Sequence, residues 1–222
     1  MIPFKQIDTF IFDMDGVLIN SEPLWKEAEI KVFKTVGIDF LAVGGEKTVG
    51  LRIDEVINYW YDQHPWSNKS KQEVVDEIMR EMVRGIEQSG QAMKGVYTIL
   101  ETLKSKNYKI GLASSSYNVL IKSTLKALKL EDFFDVIVSA EDLPYGKPHP
   151  EIYLKAAQML NSQPPKCLVI EDSLNGVLAG KSAKMNVVAI PDGTHSPDPR
   201  IILADLQLND LNELVECLKK QA

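Results

Sequence analysis

The chain has 222 residues, 45% hydrophobic and 25% charged, a balance that predicts one folded α/β domain, or a core with a small insertion, and excludes a disordered chain. Its net charge of -6 argues against a nucleic-acid partner, which needs Lys and Arg gathered on one face. Two cysteines without metal or disulfide spacing, no basic-then-apolar leader and no apolar run near membrane-spanning length predict a cytoplasmic protein with no membrane partner.

In chain order, the first strand-like run is TFIFD, residues 9–13, apolar and aromatic until it ends on Asp13, with Asp15 two positions on. Residues 14–108 then separate it from the next such run, far more than the roughly 30 residues of a βαβ unit. The interval therefore holds an insertion, and its periodicity is helical. Trp25, Ala28, Val32, Phe33 and Val36 share one face, with Ser21 as N-cap and Gly37 as stop. Ile53, Val56, Ile57, Trp60 and Tyr61 recur at helical spacing. A capping box, Ser70 to Glu73, opens a third helix whose apolar face runs through Val74, Val75, Ile78, Met79, Met82, Val83 and Ile86. A helical bundle over 18–88 is expected, on a core made of 1–17 plus 89–222.

Four further strand-like runs follow: KIGLAS (109–114), DVIVSA (135–140), CLVIED (167–172) and NVVAIP (186–191). Helical patterns near 117–129, 150–160 and 174–184 alternate with them, which predicts a doubly wound parallel sheet, Rossmann-like, with helices on both faces. Such sheets bind ligands beyond the carboxyl ends of their strands. The polar residues gather there: Asp13 and Asp15 after the first strand, Ser114, Ser115 and Ser116 at the second, Lys147 after the third, and Glu171 and Asp172 at the fourth. Four carboxylates so close require a compensating cation. An oxygen-only donor set with room for water and phosphate suits Mg²⁺ better than Ca²⁺, and His64, His149 and His195 lack the spacing of a zinc site. Mg²⁺, a lysine and hydroxyls together suit a phosphoryl group.

DMDGVLINSEP, LASSS, GKPHP and VIEDSLNG, in that order, closely resemble the four motifs of the haloacid dehalogenase-like hydrolase superfamily, in its branch with a small helical cap after the first motif. The resemblance spans essentially the whole chain. The cap segment GLRIDEVINYWYDQHPW is similar to that of bacterial sugar-phosphate phosphatases, nearest to the types acting on hexitol phosphates or 2-deoxyglucose 6-phosphate. The resemblance implies an Mg²⁺-dependent phosphatase of small phosphorylated sugars or sugar alcohols; a monomer is the simplest expectation, with the oligomeric state left open by the sequence. Asp13 would attack phosphorus and become an aspartyl-phosphate, and Asp15 would act as acid and then base. Ser114, with Ser115, would hydrogen-bond the phosphoryl oxygens, and Lys147 would neutralise them. Asp13, Asp172 and the backbone carbonyl of Asp15 would hold the metal, with Glu171 either a further ligand or a support behind the ligands.

Other residues have two readings. Arg52 in the cap could fork onto sugar hydroxyls or a second anion, or be a solvated surface residue. At least one of Ser114 to Ser116 is expected to cap the following helix. Trp25, Trp60, Tyr61 and Trp66 are read as packing, Cys167 as a small core residue and His195 as a loop residue without chemistry. The rival activity is a phosphosugar mutase resembling β-phosphoglucomutase, which carries a histidine ten residues beyond the second aspartate, where this chain has Trp25. A dehalogenase would lack an aspartate at the position of Asp15, and a non-catalytic phospho-ligand binder would have lost an acid that is present here.

Overall fold

The computed structural model describes residues 2–48, 51–191 and 198–220, so that His195 lies outside the described residues. Six strands, β1 (Thr9–Phe12), β2 (Lys109–Ser114), β3 (Val136–Ser139), β4 (Cys167–Glu171), β5 (Asn186–Ala189) and β6 (Leu206–Gln207), form one sheet in the order β3-β2-β1-β4-β5-β6. Every pairing is parallel. Strands buried on both faces read as continuous apolar runs, and alternation divides their side chains. Phe10, Phe12, Ile110, Leu112, Leu168 and Ile170 enter the layer of α4 (Val96–Ser105), α5 (Asn118–Leu128) and α8 (Leu211–Lys219). Ile11, Ala113, Cys167 and Val169 enter the opposite layer, with α6 (Glu151–Met159) and α7 (Leu174–Ser182). The doubly wound architecture is therefore as expected, with Cys167 in the core.

β6, α4 and α8 add to the elements expected. The two-residue β6 is too short to leave an alternating signal. α4 and α8 pack on each other, and Gly95 at the start of α4 permits this. It has φ +91, and a Cβ there would come within 2.6 Å of the Asn212 backbone nitrogen.

Phe12 lies opposite Leu112 on one side and Ile170 on the other, so β1, β2 and β4 end within two residues of one another. The order of the sheet reverses at β1, and the chains leaving β1 and β4 diverge around a crevice. From β1 the backbone passes into α1 (Glu22–Thr35), α2 (Ile53–Gln63) and α3 (Lys71–Ser89). The Ser70 and Glu73 capping box forms reciprocally, and Gly37 ends α1 at φ +83. Phe33 stacks on Phe40 with centroids 4.8 Å apart, Trp60 meets Phe40 edge-on, and Tyr61 meets Trp66. Those aromatics pack the bundle, as expected of Trp60, Tyr61 and Trp66. The outgoing and returning chains lie side by side: the Asn20 N–H donates to Gln91 O at 2.9 Å and the Met93 N–H to Leu18 O at 3.0 Å.

Two expected caps differ. Ser21 precedes α1 without capping it through its side chain, because its hydroxyl is spent on Asp15. None of Ser114 to Ser116 caps α5; its first-turn N–H at Asn118 donates instead to the Glu141 carboxylate at 2.8 Å. That partner is remote in sequence and had no local signal.

Candidate active site

Beyond the carboxyl end of the sheet and under the inserted bundle lies a cavity of about 720 Å³. Asp13, Asp15, Ser115, Ser116, Lys147 and Asp172 all line it, so the structure brings most of the expected residues together. Asp13 leaves β1 with its N–H on Ile170 O at 3.0 Å. Lys147, buried, donates through Nζ to Asp13 Oδ1 at 2.8 Å and to Glu171 Oε1 at 2.6 Å. A single ammonium thus ties the ends of β1 and β4.

Glu171 is fully buried. Its Oε1 also accepts from Tyr153 Oη at 2.5 Å, and its Oε2 from the Asp172 N–H, the Ser173 N–H and the Ser173 hydroxyl at 3.0–3.2 Å. A carboxylate offers about four lone-pair sites, and with Lys147 these donors fill them. Burial acts to raise its pKa, yet Lys147, Tyr153 and Ser173 hold it below the usual carboxylate range. Glycine is required around this acid: a Cβ on Gly176 would sit 1.8 Å from its carboxyl carbon. Likewise a Cβ on Gly16, at φ +71, would meet Asp172 Oδ2 at 2.2 Å. Gly16 thus serves both the turn out of β1 and the approach of Asp172.

Asp15 is held from two sides. Ser21 Oγ at 2.5 Å and Trp25 Nε1 at 3.1 Å donate to its Oδ1, and Ser116 Oγ donates to its Oδ2 at 2.7 Å. Trp25 packs against the core as expected, and in addition its indole N–H reaches an acid at the strand end, a pairing for which the ten-residue separation is the sole sequence trace. Ser116 and Tyr153 are further site residues that the sequence reading left without a role. A fully buried tyrosine hydroxyl needs a partner, but nothing local named Glu171 as that partner.

Two of the residues expected to bind substrate lie off the cavity wall. Ser114 is fully buried, and its oxygen accepts the Ser116 N–H at 3.0 Å; it is Ser115 and Ser116 that line the cavity. Arg52 is absent from the cavity wall. Its Nε and Nη2 pair with Asp54 at 2.7 and 2.6 Å, and Nη1 donates to Ala140 O and Leu143 O at 3.2 and 3.0 Å. The guanidinium bridges the inserted bundle to the loop after β3, with four of its five N–H groups engaged.

Oxygen atoms of Asp13, Glu171 and Asp172 lie within 4.8 Å of one another, with one lysine among them. Burial, joined by Glu171 and Asp15 and opposed by Lys147, pushes the Asp13 carboxyl up to about 7. The cluster is short of positive charge, and its donors are all hard oxygens, so a hard divalent cation fits.

These features define a hydrolase core of one class. The family model for haloacid dehalogenase-like hydrolases matches residues 10–190, and the chain belongs to that family. It is 41% identical over 211 residues to hexitol phosphatase B of Escherichia coli K12, with 95% of each chain covered. It is 32% identical over 212 residues to the β-phosphoglucomutase of Bacillus subtilis, covering 91% of this chain and 93% of that one. In fold it resembles CbbY from Rhodobacter sphaeroides, solved in complex with phosphate, at TM-score 0.84 and 22% identity over 94% of this chain and 96% of that one.

Proposed function

We propose that the chain is an Mg²⁺-dependent phosphatase that hydrolyses monophosphates of hexitols and hexoses in the cytoplasm, with residues 18–88 as a cap over the catalytic core. The observation that carries this reading is the buried Asp13–Lys147–Glu171 arrangement beside Asp172 on the floor of the cavity. The substrate class is supported by the likeness to hexitol phosphatase B.

The Asp13 and Asp172 side chains and the Asp15 carbonyl would hold the metal, while Glu171, its lone pairs filled by protein donors, serves as the support of Lys147. Bound there, Mg²⁺ would draw negative charge off the phosphoryl oxygens and keep the Asp13 carboxyl ionised. Asp13 attacks phosphorus as the bond to the sugar oxygen breaks, and Asp15 gives that oxygen its proton. Water then attacks the aspartyl-phosphate, passes a proton to Asp15, and frees Asp13 with inorganic phosphate. Ser115 and Lys147 steady the phosphoryl oxygens. Ser116, Ser21 and Trp25 hold the Asp15 carboxyl.

The likeness to β-phosphoglucomutase keeps a mutase as the second reading; Trp25 donating to Asp15 stands where that reading requires histidine. Phosphate release from hexitol and hexose phosphates, measured with and without Mg²⁺ and in Asp13→Asn, separates the two. Metal-dependent release that vanishes in the variant supports the phosphatase. Conversion of β-glucose 1-phosphate to glucose 6-phosphate without release overturns it.

A further inference from the structure

Glu22, Trp25 and Glu29 fall at i, i+3 and i+7 on α1, and all three line the cavity. Trp25 shows where this stripe points, since its indole reaches Asp15. Glu29 lies four residues further along, about 6 Å at the helical rise, within the reach of a chain of several carbons lying away from the reacting end. Leu51, Ile53, Val56 and Met79 give the same cavity wall apolar surface. Among the described residues no donor hydrogen-bonds the Glu29 carboxyl and no cation pairs with it; Lys47 and Arg200 also line the cavity, but Lys47 donates to Val43 O and Arg200 is forked onto Asp198.

A partly buried carboxyl on the cavity wall, with no protein partner among the described residues, is open to the hydroxyl groups of a ligand. We infer that Glu29 hydrogen-bonds the hydroxyl groups of the substrate's polyol end and so selects polyhydroxylated phosphate esters over esters that carry none. This rests on the phosphatase reading and deepens it, assigning Glu29 to specificity. Burial, with the Glu22 carboxylate beside it, pushes the Glu29 carboxyl up to about 8. At neutral pH it therefore offers both an O–H donor and acceptor lone pairs, and a hydroxyl can satisfy both. The cavity then has two ends of different chemistry, Lys147 and the serine hydroxyls for the phosphoryl group and a protonated acid for the carbon chain.

The test compares a hexitol 6-phosphate with phenyl phosphate in the parent, Glu29→Leu and Glu29→Gln. The expected result is that kcat/KM for the hexitol phosphate falls about tenfold further than that for phenyl phosphate in Glu29→Leu, the worth of one or two hydrogen bonds. The fall is smaller in Glu29→Gln, which keeps a donor and an acceptor. Equal falls for both esters, or no fall, overturn the assignment. Calorimetry in the Asp13→Asn background, with and without Glu29→Leu, reads hexitol phosphate affinity without turnover, against inorganic phosphate as the probe of the phosphoryl end. A Glu29-dependent loss of hexitol phosphate affinity alone supports the inference even if the parent turns nothing over, the outcome in which only the phosphatase reading fails. No binding to either protein overturns both.

Discussion

Lys147 is the residue on which the charge balance of the site turns, because it is the cation hydrogen-bonded to both Asp13 and Glu171. Removing one partner of a buried ion network leaves uncompensated charge, at a cost of about 3–5 kcal/mol. Lys147→Met is expected to lose that much stability in urea unfolding at neutral pH, along with phosphate release. Trp25→Phe keeps the ring and loses one donor to the Asp15 carboxylate. Hydrogen bonds to charged groups contribute about 1.5–3 kcal/mol, so kcat should fall at least tenfold; an unchanged kcat would show that the indole is packing alone. Beside the raised Asp13 carboxyl, Glu29 supplies one part of the pH dependence. Its folded-state value of about 8 lies above the ordinary 4.5, so the folded protein keeps a proton that the unfolded chain has released across that window. Its contribution to stability is full below pH 4.5 and is lost as the pH rises through 8. Glu29→Gln, which cannot titrate, should accordingly gain on the parent by roughly 2–4 kcal/mol between pH 4.5 and 9, and parallel stability curves would refute the shifted acid.

The elements of the molecule differ in how they accommodate the site. α1 stops at Gly37, whose φ is +83 and whose Cβ position is open space, whereas Gly176 in α7 lies against the Glu171 carboxyl. Gly37→Ala is thus expected to cost about 1 kcal/mol, the penalty of left-handed backbone alone. Gly176→Ala should cost about 1–3 kcal/mol from overpacking and also impair phosphate release, because the Cβ displaces the support of Lys147. Thermal unfolding and turnover on the two variants test this contrast. The helices of the inserted bundle were legible in the chain because the apolar positions of α2 and α3 repeat at helical spacing, and because Ser70 and Glu73 form a local box. The start of α5 was legible near 117, but its cap was not: the Asn118 N–H finds Glu141, 23 residues away, and a cap made by a distant segment leaves no mark in the local sequence.

At the scale of the whole molecule, Arg52 joins the bundle to the loop after β3 through Ala140 O and Leu143 O, and the paired segments near 18–20 and 91–93 form the other join. Closure over such a cavity excludes water and aligns the ends of the substrate. Arg52→Ala is expected to enlarge the radius of gyration in solution scattering and to raise KM, and an unchanged scattering curve would show that the bridge does not govern closure. Among the described residues, no helix is long and apolar enough to cross a membrane. What the sequence by itself determined was the class of chemistry. Asp13, Asp15, Lys147, Glu171 and Asp172 each follow a strand-like run, and strand ends in a parallel sheet converge on one edge whatever fills the rest of the chain. Only the tertiary structure decided the finer placements: Ser115 and Ser116 in place of Ser114 on the cavity wall, Arg52 as a bridge, Trp25 on Asp15, and Glu29 on the cavity wall. Those depend on where side chains from separate elements meet, and a helical stripe looks the same in sequence whether it faces a core or a cavity.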